Sequence, residues 1–144
     1  MTNTESRNLK LKTVKEGLID SAKLKNLILE DTDILDGIID FGSILAKSVM
    51  SGKKVLIFGN GGSAADAQHM AAEMVGTYVD KRRSFPAIAI TVDTSVITAI
   101  SNDIGYDAIF ERQIEAIGVE GDIAIGITTS GNSKNIVKGL KIAK

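Results

Sequence analysis

The chain has 144 residues, 44% of them hydrophobic and 24% charged, with a formal net charge of −1. That is enough for one domain with a real core, and without a basic excess nucleic acid is not an expected partner. The absence of cysteine excludes disulfides and thiolate metal sites, and no apolar run is long enough to cross a bilayer.

The N-terminus, MTNTESRNLKLK, has no apolar signal core, so a soluble, cytoplasmic protein with no membrane partner is expected. Residues 1–7 are polar and are expected to fray. From about residue 9 to residue 29, Leu11, Val14, Leu18, Ala22, Leu24, Leu27 and Ile28 recur at roughly helical spacing. A second helix follows, capped by Asp31 or Thr32, with a wide apolar stripe of Ile34, Leu35, Ile38, Ile39, Phe41, Ile44, Leu45 and Val49. Gly52 is placed to end it in a left-handed cap. Two such helices carry more apolar surface than one sheet face needs. They either cover the sheet or meet a helical partner surface such as a second subunit.

Residues 53–76, KKVLIFGNGGSAADAQHMAAEMVG, organise the rest. Residues 54–58 suit a buried strand, Gly59-Asn60-Gly61-Gly62 suits a tight turn, and Ser63 is placed to cap a helix over residues 64–75. Strand, glycine loop and helix N-terminus together suit an anion, because loop backbone and free N–H groups meet there with the positive end of the helix dipole. The same sequence also serves as an ordinary α/β turn. His69 and Glu73 are four apart and share a helical face. The pair suits a shared metal ion, an acid/base couple or a solvated surface pair.

A loop over residues 77–85 carries Lys81, Arg82 and Arg83, which suit either a phosphate or plain solvent. Pro86 opens a second strand over residues 87–91. Asp93 or Thr94 then caps a short helix over residues 95–100, and residues 101–105 break it with turn formers. Residues 106–117 return to helix, Gly118 and Gly121 bracket its exit, and residues 122–127 form a third strand. Thr128-Thr129-Ser130-Gly131-Asn132-Ser133 leads into a helix from about Lys134. Four hydroxyls in six residues exceed what one cap uses, which favours a phosphate cradle over a merely capped turn. Alternating strands and helices imply a parallel α/β sheet, with ligands at the carboxyl ends of its strands. Both loops emerge there.

FGNGGSAADAQHMAAE, PAIAITVDTSVITAISNDIGYDAIF and GDIAIGITTSGNSKNIVKGLK, in that order, resemble the phosphoheptose isomerases, which are sugar isomerase (SIS) domain proteins. The resemblance implies a doubly wound, flavodoxin-like parallel sheet preceded by two helices, and a homotetramer with active sites between subunits. It implies isomerisation of sedoheptulose 7-phosphate, the first step of ADP-heptose synthesis for the lipopolysaccharide core. By motif match, Asn60, Gly61, Gly62, Glu73, Asn102 and Asp103 touch substrate, and Thr128, Thr129, Ser130 and Ser133 hold its phosphate. His69 and Glu73 match zinc ligands, and Glu73 also matches the catalytic base. The family continues with further strands and a helix that brings a glutamine and a histidine to the site. This chain has one histidine, His69. It is expected to be a single SIS domain over residues 1–144, truncated, with a helical lead-in over 1–52 and an α/β core over 53–144. The resemblance also extends to a non-catalytic SIS module that binds the initiator DnaA. That protein lacks the glutamate at the position of Glu73, so its presence here favours the isomerase.

Overall fold

The structure, a computed structural model, describes residues 3–144. By internal contacts the chain divides into two compact units, Met1–Ile44 and Leu45–Lys144. The first holds helix α1 (Asn3–Glu30) and most of α2 (Thr32–Met50). Helix α1 already begins at Asn3, so residues 3–7, which were expected to fray, are helical here, while residues 1 and 2 lie outside the described residues. Asp31 is the residue that caps α2, its Oδ1 accepting from Ile34 N at 3.1 Å. Apolar side chains of both helices stay exposed, including Leu18 at 67% and Ile39 at 63%.

In the second unit, Gly52 (φ +79°) ends α2 as the sequence indicated, and strand β1 (Val55–Gly59) follows. It is central in a parallel sheet of order β2-β1-β3, with β2 at Ala87–Ala89 and β3 at Ile123–Ile127. Residues buried on both faces read as a continuous apolar run, which is why Val55 to Phe58 show no alternation in sequence. In space they alternate. Val55 and Ile57 pack with Val49 of α2 and with Ala67, Ala71 and Met74 of α3 (Gly62–Val75). Leu56 and Phe58 pack on the other face with Ile109, Phe110 and Ile114 of α5 (Ile109–Ile117) and Ile136 of α6 (Lys134–Ile142).

Helix α6 lies close to the sheet because two glycines permit it. A Cβ at Gly126 would stand 2.8 Å from Ile136 Cγ2, and one at Gly139 would stand 2.9 Å from Phe58 Cε2. Helix α4 (Thr94–Asp103) is capped by Asp93, whose Oδ1 accepts from Val96 N at 3.0 Å. It runs three residues further than the turn-forming composition of residues 101–105 suggested, and the break falls at Ile104 and Gly105 (φ +123°).

At the amino ends of the strands, Asp122 joins β1 to β3. Its carboxylate accepts from the backbone N–H groups of Lys54 (3.0 Å) and Val119 (2.9 Å) and is paired with the Lys54 ammonium. Burial pushes the Asp122 carboxyl up. The Lys54 ammonium, the two N–H donors and the Lys54 charge outweigh that and hold it below the usual aspartate range.

Candidate active site at the carboxyl ends of the strands

The β1–α3 loop depends on two glycines for different reasons. At Gly59 an added Cβ would stand 2.6 Å from the Ser63 carbonyl oxygen, because the helix start folds back over the strand end. At Gly61 there is open space, but φ is +55° and ψ −119°, a conformation L side chains avoid. Helix α3 starts at Gly62, one residue before the expected cap at Ser63. Ser63 N already donates to Asn60 O (3.0 Å), and the helix has no side-chain cap. The serine is therefore inside the first turn. Its misplacement leaves the positive helix end free of a competing side chain, which suits an anion.

The β3–α6 loop lies beside it, because Gly59 pairs with Ile127 in the parallel register. Thr128 Oγ1 stands 3.4 Å from both Ser130 Oγ and Ser133 Oγ. These contacts are too long to be strong, so the three hydroxyls keep the capacity to donate to another acceptor. Ser130 Oγ also accepts from Asn132 N at 3.2 Å, which shapes the turn around Gly131 (φ +68°). Ser133 occupies the N-cap position of α6 but makes no side-chain cap bond, leaving its hydroxyl to the loop. Thr129 is exposed.

The other expected site residues are placed differently. Asn102 and Asp103 end α4, exposed, with Asn102 Nδ2 donating to Asp103 Oδ1 at 2.7 Å. His69 and Glu73 do share a helical face, with Nε2 and Oε1 3.2 Å apart. Counting from Gly62 at 1.5 Å per residue, they lie on the order of 10 and 16 Å down α3 from the helix start. Their side chains are 76% and 40% exposed. The structure thus brings Asn60, Gly61 and Gly62 together with Thr128, Ser130 and Ser133, while His69 and Glu73 stand apart on α3.

Two residues, Asn135 and Tyr106, escaped sequence reasoning, and Arg82 takes neither of the roles considered for it. Arg82 does not point to a ligand. Its guanidinium donates to the carbonyls of Glu73 (2.6 Å), Met74 (2.9 Å) and Arg83 (3.1 Å), and it stacks on Phe85 at 4.4 Å. It closes the negative end of α3, and a cation shortly after a helix was the available signal. Asn135, buried at 3% exposure, and Tyr106 both bond to Asn60. A polar residue on the apolar inner face of α6 was the only hint of Asn135.

The SIS domain profile matches residues 21–144. The chain belongs to the SIS domain family. Among SIS proteins, the phosphoheptose isomerase of Aquifex aeolicus is 53% identical over 133 residues, which cover 92% of this chain and 69% of that protein. The phosphoheptose isomerase of Geobacter sulfurreducens is 53% identical over 114 residues, covering 79% of this chain and 60% of its own length. The solved phosphoheptose isomerase GmhA from Neisseria gonorrhoeae superposes with a TM-score of 0.84 at 38% identity, covering 92% of this chain and 68% of that one. This SIS domain therefore spans about two thirds of the length of such relatives.

Proposed function

We propose that the chain is the phosphosugar-binding core of an aldose–ketose isomerase that interconverts sedoheptulose 7-phosphate and D-glycero-D-manno-heptose 7-phosphate. The observation that carries this reading is the side-by-side placement of two anion-suited loops at adjacent strand ends, with three hydroxyls converging in one of them. Thr128, Thr129, Ser130 and Ser133 grip the phosphate, while Asn60, Gly61, Gly62, Asn102 and Asp103 meet the sugar.

The reaction moves a proton between adjacent carbons through an enediol and needs a base within hydrogen-bond reach of that proton. Glu73 is the base. Its distance down α3 from the loop suits a site shared between subunits, in which Glu73 of one copy faces the phosphate loop of another. A homotetramer is part of the proposal, and the exposed apolar surface of α1 and α2 supports an assembly. So are a cytoplasmic location and a place at the first step of ADP-heptose synthesis for the lipopolysaccharide core. Among the described residues, no helix is long and apolar enough to cross a membrane. The balanced charge supports the absence of a nucleic-acid partner.

Zinc belongs to the same reading. His69 and Glu73 offer a nitrogen and an oxygen at the right separation for one ion. They are two donors, and among the described residues no group of three or more His, Cys, Asp or Glu is placed to hold a metal. These two residues alone do not make a zinc site, which needs at least one further protein ligand. A non-catalytic module binding a phosphosugar or DnaA is the weaker reading, since Glu73 is present and the relatives named above are isomerases.

Calorimetric titration with sedoheptulose 7-phosphate tests the grip. Ser130→Ala and Ser133→Ala should each lose about 1.5–3 kcal/mol, the scale of a hydrogen bond to a charged group. Unchanged affinity in both variants overturns the proposed cradle.

A further inference from the structure

Asn60 and Asn135 form a reciprocal pair of carboxamides. Asn60 Nδ2 donates to Asn135 Oδ1 at 2.9 Å, and Asn135 Nδ2 donates to Asn60 Oδ1 at 2.8 Å. The neighbours decide which end of each amide is oxygen. Ile136 N, which can only donate, reaches Asn135 Oδ1 at 3.0 Å. That leaves Asn135 Nδ2 facing Asn60 Oδ1, which also accepts from Tyr106 Oη at 3.1 Å. An amide oxygen has two lone pairs and its nitrogen two protons. Asn60 Oδ1 is therefore filled, and one Nδ2 proton remains for anything else. Asn135 is 3% exposed, so water has little access to its end of the pair.

The three partners come from three segments that each carry candidate substrate residues. Asn60 belongs to the β1–α3 loop. Asn135 follows Ser133 by two residues, and Tyr106 follows Asp103 by three. A ligand that touches more than one of these loops binds best when their spacing is set beforehand, since it then bears less of the cost of ordering them.

We propose that Asn135 and Tyr106 are positioning residues that lock the glycine loop and the hydroxyl loop in one register. The Asn60 side chain is then chiefly the hub of that lock and meets a ligand through its one remaining N–H and through its backbone. The inference rests on the reading that these loops hold a phosphosugar, and it predicts a split between two probes. Inorganic phosphate needs the 128–133 loop alone, whereas sedoheptulose 7-phosphate needs both loops.

The experiment compares wild-type protein with Tyr106→Phe and Asn135→Ala, titrating both probes. Tyr106→Phe keeps the ring, and at 54% exposure Tyr106 is not a core residue, so folding is not at stake in that variant. Phosphosugar affinity should fall roughly 2- to 5-fold in Tyr106→Phe and roughly 10-fold in Asn135→Ala, both within the net scale of about one hydrogen bond. Inorganic phosphate should bind both as it binds wild type. Unchanged phosphosugar affinity, or a parallel loss for both probes, overturns the lock. If wild type binds neither probe, the phosphosugar reading fails separately, and hydrogen exchange decides the lock. Faster exchange at residues 60–62 and 128–133 in the variants upholds it, and unchanged protection overturns it.

Discussion

Replacing Gly59 by alanine tests the reasoning about the glycine loop most directly. The new methyl carbon would stand 2.6 Å from the Ser63 carbonyl oxygen and 2.7 Å from both Ser63 C and Ser63 Cβ. Comfortable carbon contacts lie at about 3.5–4.0 Å, so the overlap with the two carbons is roughly 1 Å. Backbone in the first turn of α3 cannot rotate away as a side-chain tip can. Relief requires moving the helix start, and with it the Gly61 and Gly62 N–H groups. Overpacking of this kind costs about 1–3 kcal/mol, and a backbone obstacle puts Gly59→Ala at about 3 kcal/mol. For the unit Leu45–Lys144 that lowers the melting temperature by roughly 14 °C. Gly61→Ala is the companion variant. It meets no atom within 4 Å, so its cost comes only from the φ of +55°, about 1–3 kcal/mol. D-alanine at position 61, introduced by chemical ligation, should restore most of that loss. Thermal unfolding followed by circular dichroism reads all three proteins. A Gly59→Ala protein melting within about 2 °C of wild type would refute the claim that the helix closes over the strand end.

Arg82→Ala should cost about 2 kcal/mol in chemical denaturation, because it uncovers the last carbonyls of α3, and Arg82→Lys should recover only part of it. Asp122 is held below its unfolded pKa, so its contribution is complete above that value, near pH 4, and is lost as pH falls through the lower folded value. Stability measured by urea unfolding should therefore drop below about pH 4, and Asp122→Asn should flatten that limb while lowering stability at neutral pH. The 144-residue chain should retain less than stoichiometric zinc after dialysis, by elemental analysis, and show no isomerase turnover. Stoichiometric zinc with turnover would mean that His69 and Glu73 need no further ligands. In a protein of the relatives' full length, Glu73→Gln should cut turnover at least about 10²-fold with an unchanged fold, as expected for a positioned general base.

Much of the fold was legible in the sequence because its signals are local. Asp31 and Asp93 cap helices through bonds that close within three residues. Gly52 takes a positive φ where a helix must stop. The apolar runs ending at Phe58 and Ile127 announced strands, and the glycine and hydroxyl clusters after them announced loops. The alternation of these elements implied the parallel sheet, and the motifs together placed the chain among SIS proteins. Local signals misled where two of them competed. Ser63 is a good cap residue, but Gly61 can adopt the conformation that starts the helix earlier. Residues 101–103 favour turns, yet α4 continues through them until Gly105 turns the chain.

What the tertiary structure alone decided depends on residues far apart in the chain. The Asn60–Asn135 pair spans 75 positions, and it exists because β1 and β3 pair in parallel and α6 packs tightly across Phe58. Gly139 reads in sequence as a weak point in a helix, and only that packing explains it. By sequence Arg82 suited either a phosphate or plain solvent, and only the path of the loop set it on the end of α3. His69 and Glu73 are adjacent by helical spacing alone, but their separation from the loops follows from the direction in which α3 leaves the sheet. Spacing along a chain determines which side chains share a face. The register of strands and the close approach of helices determine which faces meet, and both are set by the packing of the whole unit.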